Sequence, residues 1–398
     1  MPARPRVLFL VTEDRFFWSH RLPLARAALR NGYEVIVATR VSSYAERIRA
    51  EGFRLIPLRL IRESYSPLKE LRAIHQLRKI YAAERPDIVH QVALKPVLYG
   101  SIAALGHKET KVINALTGLG YLVASSSLKA RALRMVVWSA FKFLLNRPNC
   151  RVLLQNQDDR ELLIAELRMR PEKVALIRGS GVDVDFFQPA PEPAGTPVIL
   201  LASRMLWNKG IKEFVEAASL LRGKGIAARF VLAGDTDSGS PSAIPRQQLL
   251  EWQASGEVEW WGHRADMVQV FQEATLVCIP SHREGIPKAL LEAAASGRAI
   301  VTTDVPGCRD IVRQGVNGLL VPAQDVAALA GAIERLLQDP GLRVEMAHRG
   351  REIAVNEFSQ QAVVDQTLEL YRELLTSSSR MTAAAGLGQE GAKDRRKY

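Results

Sequence analysis

The chain has 398 residues, 47% of them hydrophobic and 24% charged, a globular composition that excludes collagen-like, coiled-coil and wholly disordered readings and allows two or three domains. Its formal charge of +12 is uneven: residues 1–178 carry 31 basic and 15 acidic side chains, residues 179–375 carry 18 and 25, and the remaining tail five and two. The first part, at +16, is built to meet something anionic, with nucleic acid, anionic lipid and a phosphorylated substrate as the candidate classes. Cys150, Cys278 and Cys308 lie far apart without a C-x-x-C, so neither a disulfide framework nor a zinc site is indicated and a reducing cytosol is expected. The N-terminal apolar run is too short for a signal peptide, and the uncharged stretch 112–128 is broken by Asn114, Thr117, glycines and serines, unlike a membrane span.

In chain order, short β-branched runs alternate with amphipathic stretches, the pattern of parallel sheets covered on both faces. Strands are predicted at Val7–Val11, Tyr33–Ala38, Phe53–Pro57, Ile88–Gln91, Lys111–Asn114, Val152–Gln155 and Val174–Ile177, with a long helix at Pro67–Ala83. Four prolines in 188–197 favour extended backbone and mark an interdomain linker. A second series follows at Val198–Ala202, Phe230–Ala233, Val258–Trp260, Leu276–Ile279, Ala299–Thr302 and Leu319–Val321. The expected fold class is α/β, with two Rossmann-like doubly wound domains, 1–187 and 198–357, facing across a cleft at the carboxyl ends of their strands. Residues 358–375 read as a helix that can cross back to the first domain, and 376–398 as a disordered tail.

Two segments carry candidate chemistry. The first leaves a strand at Ile279, turns through Glu284-Gly285 and enters a helix near Pro287. Its free N–H groups, those of Gly285 and Ile286 included, can bind phosphate, and Glu284 and Glu292, eight residues apart, can reach different hydroxyls of one extended ligand. The bland alternative is a carboxylate complementing a helix dipole and a solvated helix residue. The second segment, Ser203-Arg-Met-Leu-Trp-Asn-Lys-Gly210, places Arg204 at a strand end and Lys209 near a helix start. A cation there is disfavoured unless an anion occupies the site, so the pair can clamp a diphosphate, against the alternative of ordinary surface cations.

On these residues, with Gly179-Ser-Gly-Val-Asp183, the chain from Val7 to about Leu375 resembles family 4 of the glycosyltransferases, retaining enzymes of GT-B architecture, through Glu284-Gly-Ile-Pro-Lys-Ala-Leu-Leu-Glu292 as its E-x7-E motif. The resemblance implies a nucleotide-sugar donor held mostly by the second domain. Arg204 and Lys209 would neutralise the diphosphate, Glu292 would bind the ribose, Glu284 would face the hexose, and the loops at Asp235 and His263 would border the nucleotide. It implies neither a cofactor nor a strictly required metal. Developing charge on the leaving diphosphate would be met by fixed cations and N–H groups, so Glu284 and Glu292 position the ligand instead of acting as the acid and base of a glycoside hydrolase.

The first domain departs from the common pattern. Its first loop has no paired glycines and runs through His20-Arg-Leu-Pro, resembling a subgroup with an aromatic-rich loop, and after the fifth strand it has Thr117-Gly118 where many members carry a His. Thr117 and Gly118 can line the donor sugar; His20, His90 and Lys95 are candidates for the acceptor or the cleft wall. Between Thr110 and Gln157 there is no acidic residue, and 127–146 reads as a basic helix carrying Lys129, Arg131, Arg134, Trp138 and Lys142. It either contacts the inner leaflet of the membrane or buries its apolar side in the core. Asp183-Val-Asp185 has the spacing of a metal-binding D-x-D, yet its context is that of the metal-free family.

The expected function is a cytoplasmic, peripherally membrane-bound retaining transferase moving a hexose or N-acetylhexosamine, first of all N-acetylgalactosamine, from a UDP-sugar to a polyprenyl diphosphate-linked saccharide in surface-glycan or glycoprotein assembly. The rivals are a nucleotide-sugar 2-epimerase of the same fold and a basic docking protein. No nucleic-acid partner is expected, since the motifs account for phosphate without one.

Overall fold

The computed structural model describes residues 4–62, 64, 66–118, 128–237 and 239–376, without the side chains of 128–133. Two parallel sheets organise them. The first comprises β1 (Arg6–Glu13), β2 (Glu34–Arg40), β3 (Arg54–Pro57), β4 (Ile88–Val92), β5 (Lys111–Leu116), β6 (Cys150–Leu154) and β7 (Val174–Leu176), in the order β3-β2-β1-β4-β5-β6-β7. The second comprises β8 (Val198–Ala202), β9 (Arg229–Ala233), β10 (Glu259–Gly262), β11 (Leu276–Ile279), β12 (Ala299–Thr303) and β13 (Gly318–Val321), in the order β10-β9-β8-β11-β12-β13. Each order reverses beside its first strand, at β1/β4 and β8/β11, which opens a crevice above the carboxyl ends of those pairs.

Alternation along the strands builds a core on each face. Val7, Phe9 and Val11 enter one core while Leu8 and Leu10 enter the other; in the second sheet Ile199 and Leu201 oppose Val198, Leu200 and Ala202. Burial on both faces is what allows these strands to be apolar throughout. Helices cover them: α1 (Asp14–His20), α2 (Leu22–Arg30), α3 (Ala45–Ala50), α4 (Pro67–Glu84), α5 (Leu94–Ala103), α6 (Leu128–Leu144) and α7 (Gln157–Leu167) on the first sheet, and α8 (Ile211–Gly223), α9 (Arg246–Ala254), α10 (Met267–Gln272), α11 (Lys288–Ala295), α12 (Val326–Gln338) and α13 (Pro340–Phe358) on the second. Pro287 sits one residue outside α11, as its N-cap.

Residues 188–197 have no regular structure and are pinned to the second sheet's side. Buried Arg298 donates to the carbonyls of Ala190 and Pro191, and Arg343 pairs with Glu192 at 2.7 Å. A second crossing returns the chain: Val182 N–H donates to Phe358 O at 2.9 Å and Gln360 N–H to Val182 O at 2.8 Å. Gly181 permits this, since at φ +71° a Cβ there would lie 2.5 Å from Gln360 Cα. Helix α14 (360–376) then buries Val363, Val364, Leu368, Tyr371 and Leu374 in the first domain's core. The predicted tail lies outside the described residues from 377 onward.

His90, expected in the cleft wall, is fully buried instead. It stacks on Phe9 and shares a 2.7 Å hydrogen bond through Nδ1 with the Tyr371 hydroxyl, so it anchors α14. Burial, then the charge of Arg21, lowers its pKa well below the usual imidazole value. The unfolded chain therefore takes up the proton first, and stability present above about pH 6.5 is lost as pH falls. Denaturant titrations at pH 7, 6 and 5 are expected to show a decline approaching about 1.4 kcal/mol per pH unit for this group, and a shallower decline in His90→Phe.

Candidate functional site

The loops leaving β8 and β11 meet because those strands are neighbours in the second sheet. His282 N–H donates to Asn208 O at 3.0 Å, and Gly210 turns at φ +73° directly under Pro280, where a Cβ would lie 2.0 Å from the carbonyl oxygen. Glu213 on α8 accepts a hydrogen bond from His282 Nε2 at 2.8 Å, fixing the β11 loop to the helix behind it. The result is a cavity of about 150 Å³ walled by Ala202, Ser203, Arg204, Lys209, Ile279, Glu284, Pro287, Lys288 and Ala289. Arg204, Lys209 and Glu284, three of the residues expected from sequence, thus share one pocket at the start of α11.

Each cation of the pocket faces a carboxylate. Lys209 Nζ pairs with Glu284 Oε1, which also accepts from Ser281 Oγ at 2.7 Å. Lys288 Nζ lies 3.1 Å from Glu292 one helical turn on. Arg204 pairs at 2.6 Å with Asp237, a buried residue of the β9 loop. Burial raises the Glu292 pKa against the opposing pull of Lys288. Burial would raise that of Asp237 too, but the Arg204 hydrogen bond and the nearby Arg62 outweigh it and hold the carboxyl below its ordinary value.

The first domain closes on this loop at Gly285. Asn156 caps α7 through its side-chain oxygen and donates from Nδ2 to Gly285 O at 3.0 Å. Arg283 pairs with buried Asp159 at 2.5 Å, and Arg309 with Asp158 at 3.1 Å. Thr117 and Gly118 pack against Gly285, where an added Cβ would stand 2.1 Å from Thr117 O. The acidic first turn of α7 both complements its own dipole and receives arginines from the second domain.

The remaining expected residues separate into groups. His20, at the end of α1, keeps an exposed edge yet is enclosed at longer range by both domains; that enclosure, then Lys288, Arg21 and Arg204, lowers its pKa to about 3 and leaves the ring neutral at pH 7. Lys95 does not line the cleft as a free cation: its Nζ donates to the carbonyls of Ile61 and Ser64 and pairs with Glu70. Ile286 turns its side chain onto Gly179. Asp235 leans towards Arg246, 3.9 Å away, and His263 is exposed; the carboxylate reaching Arg204 is Asp237, two residues on. In the basic helix, α6, Trp138 packs partly into the core and Lys142 is exposed, with Arg134 between; the side chains of Lys129 and Arg131 lie outside the described residues. Asp183 accepts from the N–H groups of Asp185 and Phe186 in a turn. Among the described residues no group of three or more His, Cys, Asp or Glu is placed to hold a metal.

Sequence reasoning missed Asp237, Lys288, Arg283 and Asp159. Lys288 and Arg283 flank the recognised motif and were legible as neighbours; Asp159 carries no local signal, because its partner lies 124 residues away. The close approach at Gly285 gives a direct test. Gly285→Ala is expected to separate the domains at this point and lower turnover by at least about tenfold; small-angle scattering of the variant should show an expanded molecule.

The family description "Glycosyl transferase 4-like" matches residues 6–155, and "Glycosyl transferases group 1" matches residues 196–339. The chain is 27% identical over 383 residues, 93% of its own length and 99% of the relative's, to the Campylobacter jejuni N,N'-diacetylbacillosaminyl-diphospho-undecaprenol alpha-1,3-N-acetylgalactosaminyltransferase. It is 24% identical over 325 residues, covering 78% of this chain and 82% of the relative, to the Escherichia coli UDP-Gal:alpha-D-GlcNAc-diphosphoundecaprenol alpha-1,3-galactosyltransferase. Its fold is shared with HepE of Anabaena, solved with UDP and glucose, at a TM-score of 0.76 and 18% identity over 92% of this chain and 99% of that one. Sucrose-phosphate synthase of Thermosynechococcus elongatus matches at 0.78 and 20% identity over 94% and 100%. With one of these families on each sheet and the two sheets facing across a cleft, the chain belongs to the family 4 glycosyltransferases of GT-B fold.

Proposed function

We propose that this glycosyltransferase transfers an N-acetylhexosamine, in the first instance N-acetylgalactosamine, from its UDP-sugar to a polyprenyl diphosphate-linked saccharide with retention of anomeric configuration. The observation that carries the reading is the joining of Arg204 and Lys209 with the start of α11 in one cavity, beside a Glu284 held by Lys209 and Ser281. As the glycosyl phosphate bond breaks, negative charge grows on the leaving diphosphate; cations already in place stabilise it without reorganising. Same-face attack lets the departing phosphate oxygen take the acceptor's proton, so no protein base is needed. The acceptor and donor classes are supported by the names of the Campylobacter jejuni and Escherichia coli relatives.

A lipid-linked acceptor calls for a membrane-facing surface, and exposed apolar and basic groups on the first domain support one there. No described helix is long and apolar enough to cross a bilayer, but Leu68 and Leu71 on α4 and Met135, Val136 and Phe143 on α6 are 63–68% exposed. Both helices begin at the carboxyl end of the sheet, the cleft side, and carry exposed Lys69, Arg72 and Lys142 beside these apolar groups. The other side of α6, Val137, Phe141, Leu144 and Leu145, is core. One side of the helix is thus core, and its open outer face supports the reading of insertion at an anionic interface.

The decisive assay offers a panel of UDP- and GDP-sugars with lipid-linked acceptors in the presence of a metal chelator and reads the product anomer by NMR. Transfer of an α-linked N-acetylgalactosamine without metal is expected, and Lys209→Ala should lose about 10²–10³ in kcat. Full activity in that variant removes the phosphate clamp, and product formed without acceptor favours an epimerase. Separately, replacing Arg131, Arg134 and Lys142 with Ala should weaken binding to anionic liposomes by roughly 1 kcal/mol per charge; unchanged binding excludes this face.

A further inference from the structure

We propose that Arg15 and Arg62 form a second anion site, on the first domain's side of Arg204, that holds the diphosphate of the acceptor. The proposal rests on the reading of the acceptor as diphosphate-linked. Asp237, only 8% exposed, draws guanidinium groups from both domains: Arg204 at 2.6 Å, Arg62 at 3.2 Å and Arg15 at 3.9 Å. Arg15 also pairs with Glu13 at 2.6 Å. Three arginines thus meet two carboxylates among the described residues, a surplus of positive charge inside the cleft and next to the donor's own clamp.

The two first-domain arginines are held in place. Both guanidinium groups lie over the ring of Phe16, at 4.7 and 5.9 Å from its centroid. Buried Asp14 ties the start of α1, and so Arg15, to the β2 loop by accepting from Ser42 N–H and Oγ and from Tyr44 N–H. Lys95 fixes the turn carrying Arg62 by binding the carbonyls on either side of it, those of Ile61 and Ser64. Arg62 and Arg15 remain 27% and 44% exposed on their side chains, so their remaining N–H edges are open to a ligand while Asp237 sets their orientation.

The chemistry of the reaction requires such a site. An acceptor attacking through its first sugar brings its diphosphate within about one hexose of the donor's diphosphate, and two multiply charged anions approach that closely only with cations between them. Arg204 and Lys209 are taken by the donor. Arg15 and Arg62 are the arginines that the acceptor-side domain directs at the same point.

The test compares one saccharide presented on a lipid diphosphate and on an uncharged alkyl chain, using wild type, Arg15→Gln, Arg62→Gln and Arg62→Lys. Wild type is expected to favour the diphosphate acceptor in kcat/KM, and each Gln variant should reduce that preference at least about tenfold, with Arg62→Lys between because it keeps the charge without the fork. A preference unchanged in the variants, or both acceptors losing equally as from a mere interdomain clasp, overturns the proposal. A calorimetric arm titrates inorganic pyrophosphate into UDP-saturated protein: binding that the Arg15→Gln/Arg62→Gln double variant loses supports the site, and binding absent in wild type or retained in the variant overturns it. If wild type transfers sugar to neither acceptor, the reading of the acceptor fails by itself, and the pyrophosphate arm still decides the anion site.

Discussion

The contact at Gly285 is the constraint on which the functional architecture depends. Backbone meets backbone there across two domains: Thr117 of one lies where a side chain at position 285 would have to go, and Asn156 takes the Gly285 carbonyl. Only a residue without Cβ allows that approach. Because Glu284 precedes it and Arg283 is bound by Asp159, the first domain sets the geometry of a loop that belongs to the second. The interdomain contact and the shape of the loop that walls the pocket are therefore one feature, and the helix cap on α7 doubles as the latch.

Electrostatics follows the same economy. The second domain is acidic overall, yet the cations it places in the cleft each face a carboxylate, so the pocket is neutralised before any ligand arrives. That arrangement avoids the cost of unpaired buried charge. Asp237 belongs to this scheme from the second domain while drawing arginines from the first, which gives the cleft a charge contact on each side of its opening.

The C-terminal segment ties these parts together. Its helix α13 belongs to the second domain's core, the chain turns over Gly181, and α14 completes the first domain's core around Tyr371 and His90. A histidine at a strand end looked like a cleft residue because strand ends generally point there. Its ring instead serves the opposite purpose, since a helix arriving from the far end of the chain covers it.

What the sequence by itself determined was what is local. Alternation within strands and the spacing of helices placed both sheets, and the segments 203–210 and 279–292 singled out the residues that wall the pocket, because strand, turn and helix start are encoded by neighbouring residues. Proline spacing likewise marked 188–197, though not that Arg298 and Arg343 would hold it down. Tertiary structure alone decided the pairings: that Asp237 and not Asp235 meets Arg204, that Asp159 binds Arg283, that Lys95 supports a loop, and that α6 has both a core side and an open side. These depend on side chains far apart in sequence meeting in a fixed geometry. A residue's chemistry is written in the chain, but its partner is chosen only when the domains close.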